Sequence, residues 1–192
     1  MAREPVEKVS LMRISEVFKQ YMEHLFAGKR CEARQMILAA QDRGTDAAKL
    51  LNCVIWPAME QVEKLFHENQ IPRITEQMAS RINRLVADQL QGLLPHKPKT
   101  GRRMVVCCGD AEPHELGAQI IADLFEAEGW SVWFLGAGVP NDEVLQFLGS
   151  IRPDVLCIHG TVASEVPHIR KLIDMLRENG GFEQMQVLVT GG

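Results

Sequence analysis

Apolar positions change their period near the middle of the chain. Leu11, Ile14, Phe18, Tyr21 and Leu25 recur every three or four residues, which gives one apolar face of an amphipathic helix. The same period predicts a second helix over about Cys31–Gln41 and a third over about Asp46–His67, with Thr45 as candidate N-cap. A fourth is predicted over about Arg73–Leu93, with Ile74, Met78, Ile82, Leu85 and Leu93 on one side. Pro57 falls inside the third helix and is expected to kink or split it, because proline lacks an N–H and its ring crowds the preceding turn. Gly28, Gly44 and Pro72 punctuate the joins. Helices joined this tightly predict a four-helix bundle, assigned to residues 1–95.

The stretch "LLPHKPKTGRR", Leu93 to Arg103, reads as a linker. Beyond it, short apolar runs alternate with amphipathic ones. Strands are expected over Met104–Cys108, Trp130–Leu135, Val155–His159 and Gln186–Val189. Helices are expected over Glu115–Glu128, Asn141–Gly149 with Asn141 as cap, and Glu165–Glu178. Alternation of this kind implies a parallel sheet covered on both faces, and right-handed crossovers make it doubly wound. The fold class is therefore α plus α/β: a four-helix bundle, then a doubly wound, Rossmann-like (flavodoxin-like) parallel sheet over residues 103–192. Such a sheet normally continues past its fourth strand, so this one is expected to be cut short at Gly192 or completed elsewhere.

Composition narrows the function. Over 192 residues, 46% are hydrophobic and 24% charged, which suits globular domains with real cores. Net charge is −4 and the pI about 5.9, which argues against a nucleic-acid surface supplied by this chain alone. No apolar run approaches the length of a membrane span, and "MAREPVEKVS" lacks the apolar core of a signal peptide. The 5 cysteines have no metal-ligand spacing, and Cys107 and Cys108 read as strand residues. A reducing cytoplasm is the expected location. Trp56, Trp130 and Trp133 read as core or interface residues, and Met104 and the bundle methionines as core filler.

The chemistry gathers at the carboxyl ends of the strands, where open α/β sheets bind ligands. Three loops lie there: Gly109–His114, Gly136–Pro140 and Gly160–Ser164. The first places His114 between a strand and a helix, with Glu112 and Glu115 beside it and Gly117 three residues on. On residue type alone, His114 is a helix-end residue, a general base or an axial metal ligand. No Ser/His/Asp arrangement marks a nucleophile, and no HExxH or paired CxxC marks a zinc site. As a ligand, His114 would bind metal through one ring nitrogen while Glu112 orients the other. Gly117 would let a bulky group approach the helix start. Gly136, Gly138, Gly160, Gly191 and Gly192, all at strand ends, suggest a deep channel for a long, thick ligand tail.

"EPHELGA", "FLGAGVP", "HGTVAS" and "VTGG" together resemble the cobalamin-binding Rossmann-like domain. That family carries Asp/Glu-x-His-x-x-Gly, then Ser-x-Leu, then Gly-Gly. The first element is matched by Glu112-Pro113-His114-Glu115-Leu116-Gly117 and the last by Gly191-Gly192. In place of Ser-x-Leu stands Gly160-Thr161-Val162, with Thr161 or Ser164 as the source of a hydroxyl. The resemblance implies cobalamin as cofactor, in its adenosyl, methyl or hydroxo form, with its own lower base displaced. His114 is then the lower cobalt ligand and Glu112 its partner. It places Glu115, Gly117, Gly136, Gly160, Thr161, Val162, Ser164, Gly191 and Gly192 around the corrin and its nucleotide tail.

In the same family a four-helix bundle often precedes this domain and caps the upper corrin face. "FHENQIPRITEQMAS" resembles that segment of the light-sensing, CarH-type MerR repressors, which carry Trp-x9-Glu-His. Here Phe66 stands for the tryptophan, Glu76 is kept, Gln77 replaces the histidine, and His67 follows Phe66. Two functions follow from the resemblance. One is a cobalamin sensor and transcription regulator, in which light or another change at the upper ligand alters assembly. Glu112 and "HELGA" lean that way. The alternative is a corrinoid methyl carrier serving separate methyltransferases; such carriers usually show Asp-x-His-Asp-x-Gly. A lesser alternative is a haem-binding sensor of the same fold. None of these catalyses alone. The expected partners are cobalamin and either a second copy or a separate output or methyltransferase protein, with no nucleic acid and no membrane.

Overall fold

The computed structural model describes residues 13–109 and 112–191. Leu11 and Gly192 lie outside them. The chain divides into two compact units, Met1–Leu94 and Pro95–Gly192.

The first unit is helical: α1 (Ile14–Phe26), α2 (Arg30–Asp42), α3 (Ala47–Leu50), a π-helical segment (Leu51–Ile55), α4 (Trp56–His67) and α5 (Arg73–Gln91). The expected third helix is thus α3, the π segment and α4 in succession. Pro57 neither splits it nor ends it. A proline ring crowds the carbonyl four residues before it, here Cys53, and the widened π turn surrounds that carbonyl. Asp46, not Thr45, caps the helix: its Oδ1 accepts the Lys49 N–H at 3.1 Å.

The buried face of α5 also differs from the expected one. It carries Glu76, Ala79, Ile82, Asn83, Val86, Ala87 and Leu90, while Ile74, Met78 and Leu93 are exposed. The bundle interior accepts small side chains and polar groups that find partners there. The Tyr21 hydroxyl donates to Asn83 Oδ1 at 2.9 Å, and Asn83 Nδ2 donates to the Ile55 carbonyl at 3.0 Å. This chain ties α1 and α5 to the end of the π segment.

The second unit holds β1 (Arg103–Cys108), α6 (Leu116–Ala127), β2 (Ser131–Gly136), α7 (Asn141–Ile151), β3 (Val155–His159), a 3₁₀ turn (Ala163–Glu165), α8 (Val166–Asn179) and β4 (Gln186–Thr190). Pro140 takes the cap position expected of Asn141. Asn141 instead begins α7, and its Nδ2 donates to the His168 carbonyl on α8 at 3.1 Å. Part of the stretch read as linker is pinned to this unit, since the N–H groups of Lys97 and Thr100 donate to Ala127 and Gly129.

All pairings are parallel, in the order β2-β1-β3-β4, with Met104 opposite Val155 and Cys108 opposite His159. Side chains alternate between faces. Val105, Cys107, Leu156 and Ile158 pack with α7 and α8; Met104, Val106, Cys108 and Cys157 pack with α6. From β1 the chain moves one way to β2. From β3 it moves the other way to β4. The direction reverses between β1 and β3, so the crevice at their carboxyl ends is the site the topology prepares for a ligand. β4 is an edge strand whose apolar side chains Val187, Leu188 and Val189 are exposed. Trp56, Trp130 and Trp133 are half-buried.

Candidate functional site

The loops after β1 and β3 meet in one hydrogen-bonded group. The Glu112 side chain is fully enclosed. Its Oε1 accepts the His114 backbone N–H at 2.9 Å and the Thr161 hydroxyl at 2.8 Å, and its Oε2 accepts the Thr161 N–H at 2.6 Å. A buried carboxylate needs such donors, and three converge on it. His114 Nδ1 lies 3.2 Å from Thr161 Oγ1 and 3.7 Å from Glu112 Oε1.

The geometry assigns the imidazole tautomer. The Thr161 hydroxyl has one proton, committed to Glu112. Its lone pairs therefore face His114, whose Nδ1 must carry the proton. Nε2 is then the basic nitrogen, the one able to ligate a metal. Glu112 was expected to orient the ring directly. The structure instead interposes Thr161, from the element that departs from Ser-x-Leu.

Glu115 ties in the loop after β2. Its Oε1 accepts the Ala137 N–H at 2.9 Å. Gly136 has φ +72°, and a Cβ there would stand 3.3 Å from the same oxygen. Gly117 is buried in the first turn of α6. Cys108, at the end of β1, has its thiol pushed up to about 12, chiefly by burial and then by the Glu115 carboxylate. It stays protonated at neutral pH.

The ends of β3 and β4 touch. Gly191 has φ +129°, and a Cβ there would fall 1.8 Å from the Gly160 carbonyl oxygen, so only glycine fits. His159 is buried, and its Nδ1 lies 3.0 Å from Thr190 Oγ1. Val162 is half-buried, and with Gly160, Ile169 and Val189 it lines an open cavity of about 530 Å³ beside α8. Ser164 is exposed, and no hydrogen bond joins its side chain to the Glu112 group. Gly138 is exposed at the end of β2.

In the helical unit, Phe66 is half-buried under the Arg73 guanidinium, 5.6 Å from the ring centre. His67 is exposed, with Nε2 3.7 Å from Glu63 Oε1 on its own helix. Glu76 is buried in the first turn of α5, where its carboxylate accepts from Gln77 Nε2 at 2.9 Å and Ser80 Oγ at 3.1 Å.

His159 and Glu165 lie at the strand ends without having been singled out. Their signal was position alone: a polar residue closing an apolar strand, and an acid just before a helix. Both are buried.

Among the described residues, no three His, Cys, Asp or Glu side chains gather to hold a metal ion. A family model described as a B12 binding domain matches residues 102–192, and a second model with that description matches residues 17–91. The chain belongs to the B12-binding domain family. Its cofactor is cobalamin, so the haem alternative falls away. Dimethylamine corrinoid protein 1 of Methanosarcina acetivorans is 21% identical to this B12-binding chain over 163 residues, 82% of this chain and 76% of that one. The methanol–corrinoid protein of Methanosarcina barkeri is 25% identical over 156 residues, 81% of this chain and 60% of that one. The solved Methanosarcina barkeri monomethylamine corrinoid protein shares the fold, with a TM-score of 0.85 at 15% identity, over 94% of this chain and 86% of that one. One chain of the Methanosarcina barkeri methanol:cobalamin methyltransferase complex aligns with a TM-score of 0.51 at 24% identity, over 100% of this chain and 74% of that one. These relatives are corrinoid proteins, and none is named as a light sensor or a transcription regulator. The comparisons therefore favour the carrier alternative over the sensor expected first.

Proposed function

We propose that this B12-binding protein is a corrinoid methyl carrier, cytoplasmic, that works with separate methyltransferases and catalyses nothing alone. The observation that carries the reading is the His114–Thr161–Glu112 chain at the switch point of the sheet. It holds the proton on Nδ1 and leaves Nε2 as the nitrogen for cobalt. Bound cobalamin supplies a cobalt centre able to take up and give up a methyl group.

The chain's residues do the rest. His114 would hold the cobalt, and Thr161 and Glu112 would fix its ring and tautomer. Glu115 and Gly136 join the loops after β1 and β2, and Gly117 leaves room at the start of α6. Gly160, Val162 and Gly191, with Ser164 beside them, border the space for the nucleotide tail. Within the helical unit, Phe66, His67, Glu76 and Gln77 are the candidate cofactor-binding residues. Glutamine at position 77 supports a carrier over an adenosyl-selective light sensor, because a carboxamide neither titrates nor ligates as imidazole does.

The relatives support a methyltransferase partner, since the names of two of them concern methanol and dimethylamine systems. Among the described residues, no helix is long and apolar enough to cross a membrane. The test loads the protein with methylcobalamin in the dark, removes free vitamin, and records the absorption spectrum and assembly state before and after illumination. A carrier retains the corrinoid, keeps its assembly state in light, and yields its methyl group to a thiol when a corrinoid-dependent methyltransferase is added. Light-driven change of assembly would restore the sensor.

A further inference from the structure

The stretch that joins the two units is bound to the second of them along most of its length. Leu93 and Leu94 close the helical unit, their N–H groups donating to the Leu90 and Gln91 carbonyls at 3.0 and 3.1 Å. From Lys97 onward the partners change. The Lys97 N–H donates to the Ala127 carbonyl at 2.8 Å and the Thr100 N–H to the Gly129 carbonyl at 2.9 Å. The Ser131 N–H, at the start of β2, donates back to the Arg102 carbonyl at 2.9 Å. Side chains repeat the attachment. Lys97 Nζ pairs with Glu128, Lys99 Nζ donates to the Trp130 carbonyl at 3.2 Å, and the Arg102 guanidinium lies 5.3 Å from the centre of the Trp130 ring.

Gly129 shows how closely this stretch is seated. It has φ +89°, and a Cβ there would stand 2.2 Å from the Pro98 carbonyl oxygen and 3.3 Å from that of Lys97. Only glycine lets the two backbones approach so near. Between Leu94 and Lys97 stand Pro95 and His96 alone, both exposed. An extended chain gains about 3.3–3.6 Å per residue, so Leu94 and Lys97 can be at most about 11 Å apart. Were the chain free as far as Arg103, the reach would be about 30 Å.

We infer that residues 97–102 are a strap fastened to the sheet unit, and that the tether between the two units is Pro95 and His96 alone. While the strap holds, the units can turn about that short tether but cannot part by more than it allows. A partner that engages one unit therefore always finds the other within reach. Effective concentration falls roughly as the −3/2 power of tether length, so a threefold longer tether would lower that of one unit at the other about fivefold. The strap goes beyond the carrier reading and stands whether or not that reading does.

The test compares the full chain with its Gly129→Ala variant, whose added methyl meets the Pro98 carbonyl. Hydrogen exchange followed by nuclear magnetic resonance should find the Lys97 and Thr100 amides slowed on the order of a hundredfold beyond that of His96 in the parent. Gly129→Ala should lose that protection, while the Val105 and Val106 amides of β1 keep theirs and report a folded sheet. Pulsed electron paramagnetic resonance then reads the tether, with nitroxides on Cys53 and on Ser150→Cys in a Cys31→Ser background. The distance distribution should be broader in Gly129→Ala than in the parent. Gly181→Ala, also left-handed but with nothing within 4 Å, should match the parent in both measurements. Thr100→Pro removes the N–H that donates to Gly129, is expected to act as Gly129→Ala does, and serves if that variant does not fold. Lys97 and Thr100 amides that exchange as fast as that of His96 in the parent overturn the strap. A distance distribution that stays the same when their protection is lost overturns its role as the limit on separation.

Discussion

The hydroxyl of Thr161 lies 3.2 Å from Nδ1 of His114, close enough to receive its proton in a hydrogen bond. Because that hydroxyl donates to Glu112, the ring is held through a relay from another loop. Thr161→Val keeps the shape and removes the relay. Cobalamin affinity should fall about 10–100-fold, the usual consequence of losing a group that orients a metal-bound histidine. Thr161→Ser should restore most of it. Equilibrium dialysis with hydroxocobalamin measures both.

A methyl group has no room at Gly191. With φ at +129° and the Gly160 carbonyl in the way, Gly191→Ala forces the ends of β3 and β4 apart. The loss should appear as lower thermal stability and weaker corrinoid retention together. Gly181→Ala is the control, since it is also left-handed, at φ +80°, but meets nothing within 4 Å. It should cost about 1 kcal/mol of strain and leave retention unchanged. Calorimetry on both variants, with and without hydroxocobalamin, separates the two effects.

These positions show what the sequence could and could not reveal. The strands were legible because their apolar runs are short, continuous and bounded by glycine and charge. His114 was legible because an imidazole closing a strand-to-helix loop is chemically conspicuous. The role of Thr161 was not, since it depends on register: β3 must pair beside β1 for that hydroxyl to reach Nδ1. The buried face of α5 misled for a related reason. Ile74 and Met78 are more apolar than Asn83 and Glu76, yet the latter are buried, because their hydrogen-bond partners come from residues that periodicity does not weigh. Pro57 misled because a π turn, which no pattern announces, absorbs it.

The buried thiols give a pH prediction. Burial, and then the neighbouring Cys157, push Cys107 up to about 12, and Cys108 reaches about the same value from an ordinary 9.0. A raised folded-state value means the folded form holds its proton more tightly. The stabilisation is therefore complete below about pH 9 and is lost as pH rises toward 12. Alkylation with iodoacetamide at pH 8, read by mass spectrometry, should label the exposed Cys31 and Cys53 and spare Cys107, Cys108 and Cys157. Melting temperature should fall from about pH 9 upward, and should fall less steeply in Cys107→Ala.

In the helical unit, Asn83 is the joint. Asn83→Ala leaves the Tyr21 hydroxyl and the Ile55 carbonyl without their buried partner, at about 1–3 kcal/mol for each group stranded. Adding Tyr21→Phe removes one of the stranded groups and should recover part of that loss. Urea unfolding of the single and double variants, followed by circular dichroism, tests the coupling.

The central claim is that His114 Nε2 is the lower ligand of cobalt. It is tested most directly by electron paramagnetic resonance of the protein loaded with cobalamin and reduced to the cobalt(II) state. The protein is labelled with nitrogen-15 histidine and the vitamin is left unlabelled. Ligation by His114 predicts that the superhyperfine triplet from an axial nitrogen-14 becomes a doublet in the labelled protein, and that Glu112→Gln keeps the doublet while His114→Ala abolishes it. A triplet that persists in the labelled protein means the vitamin's own base still holds the cobalt, and contradicts the account.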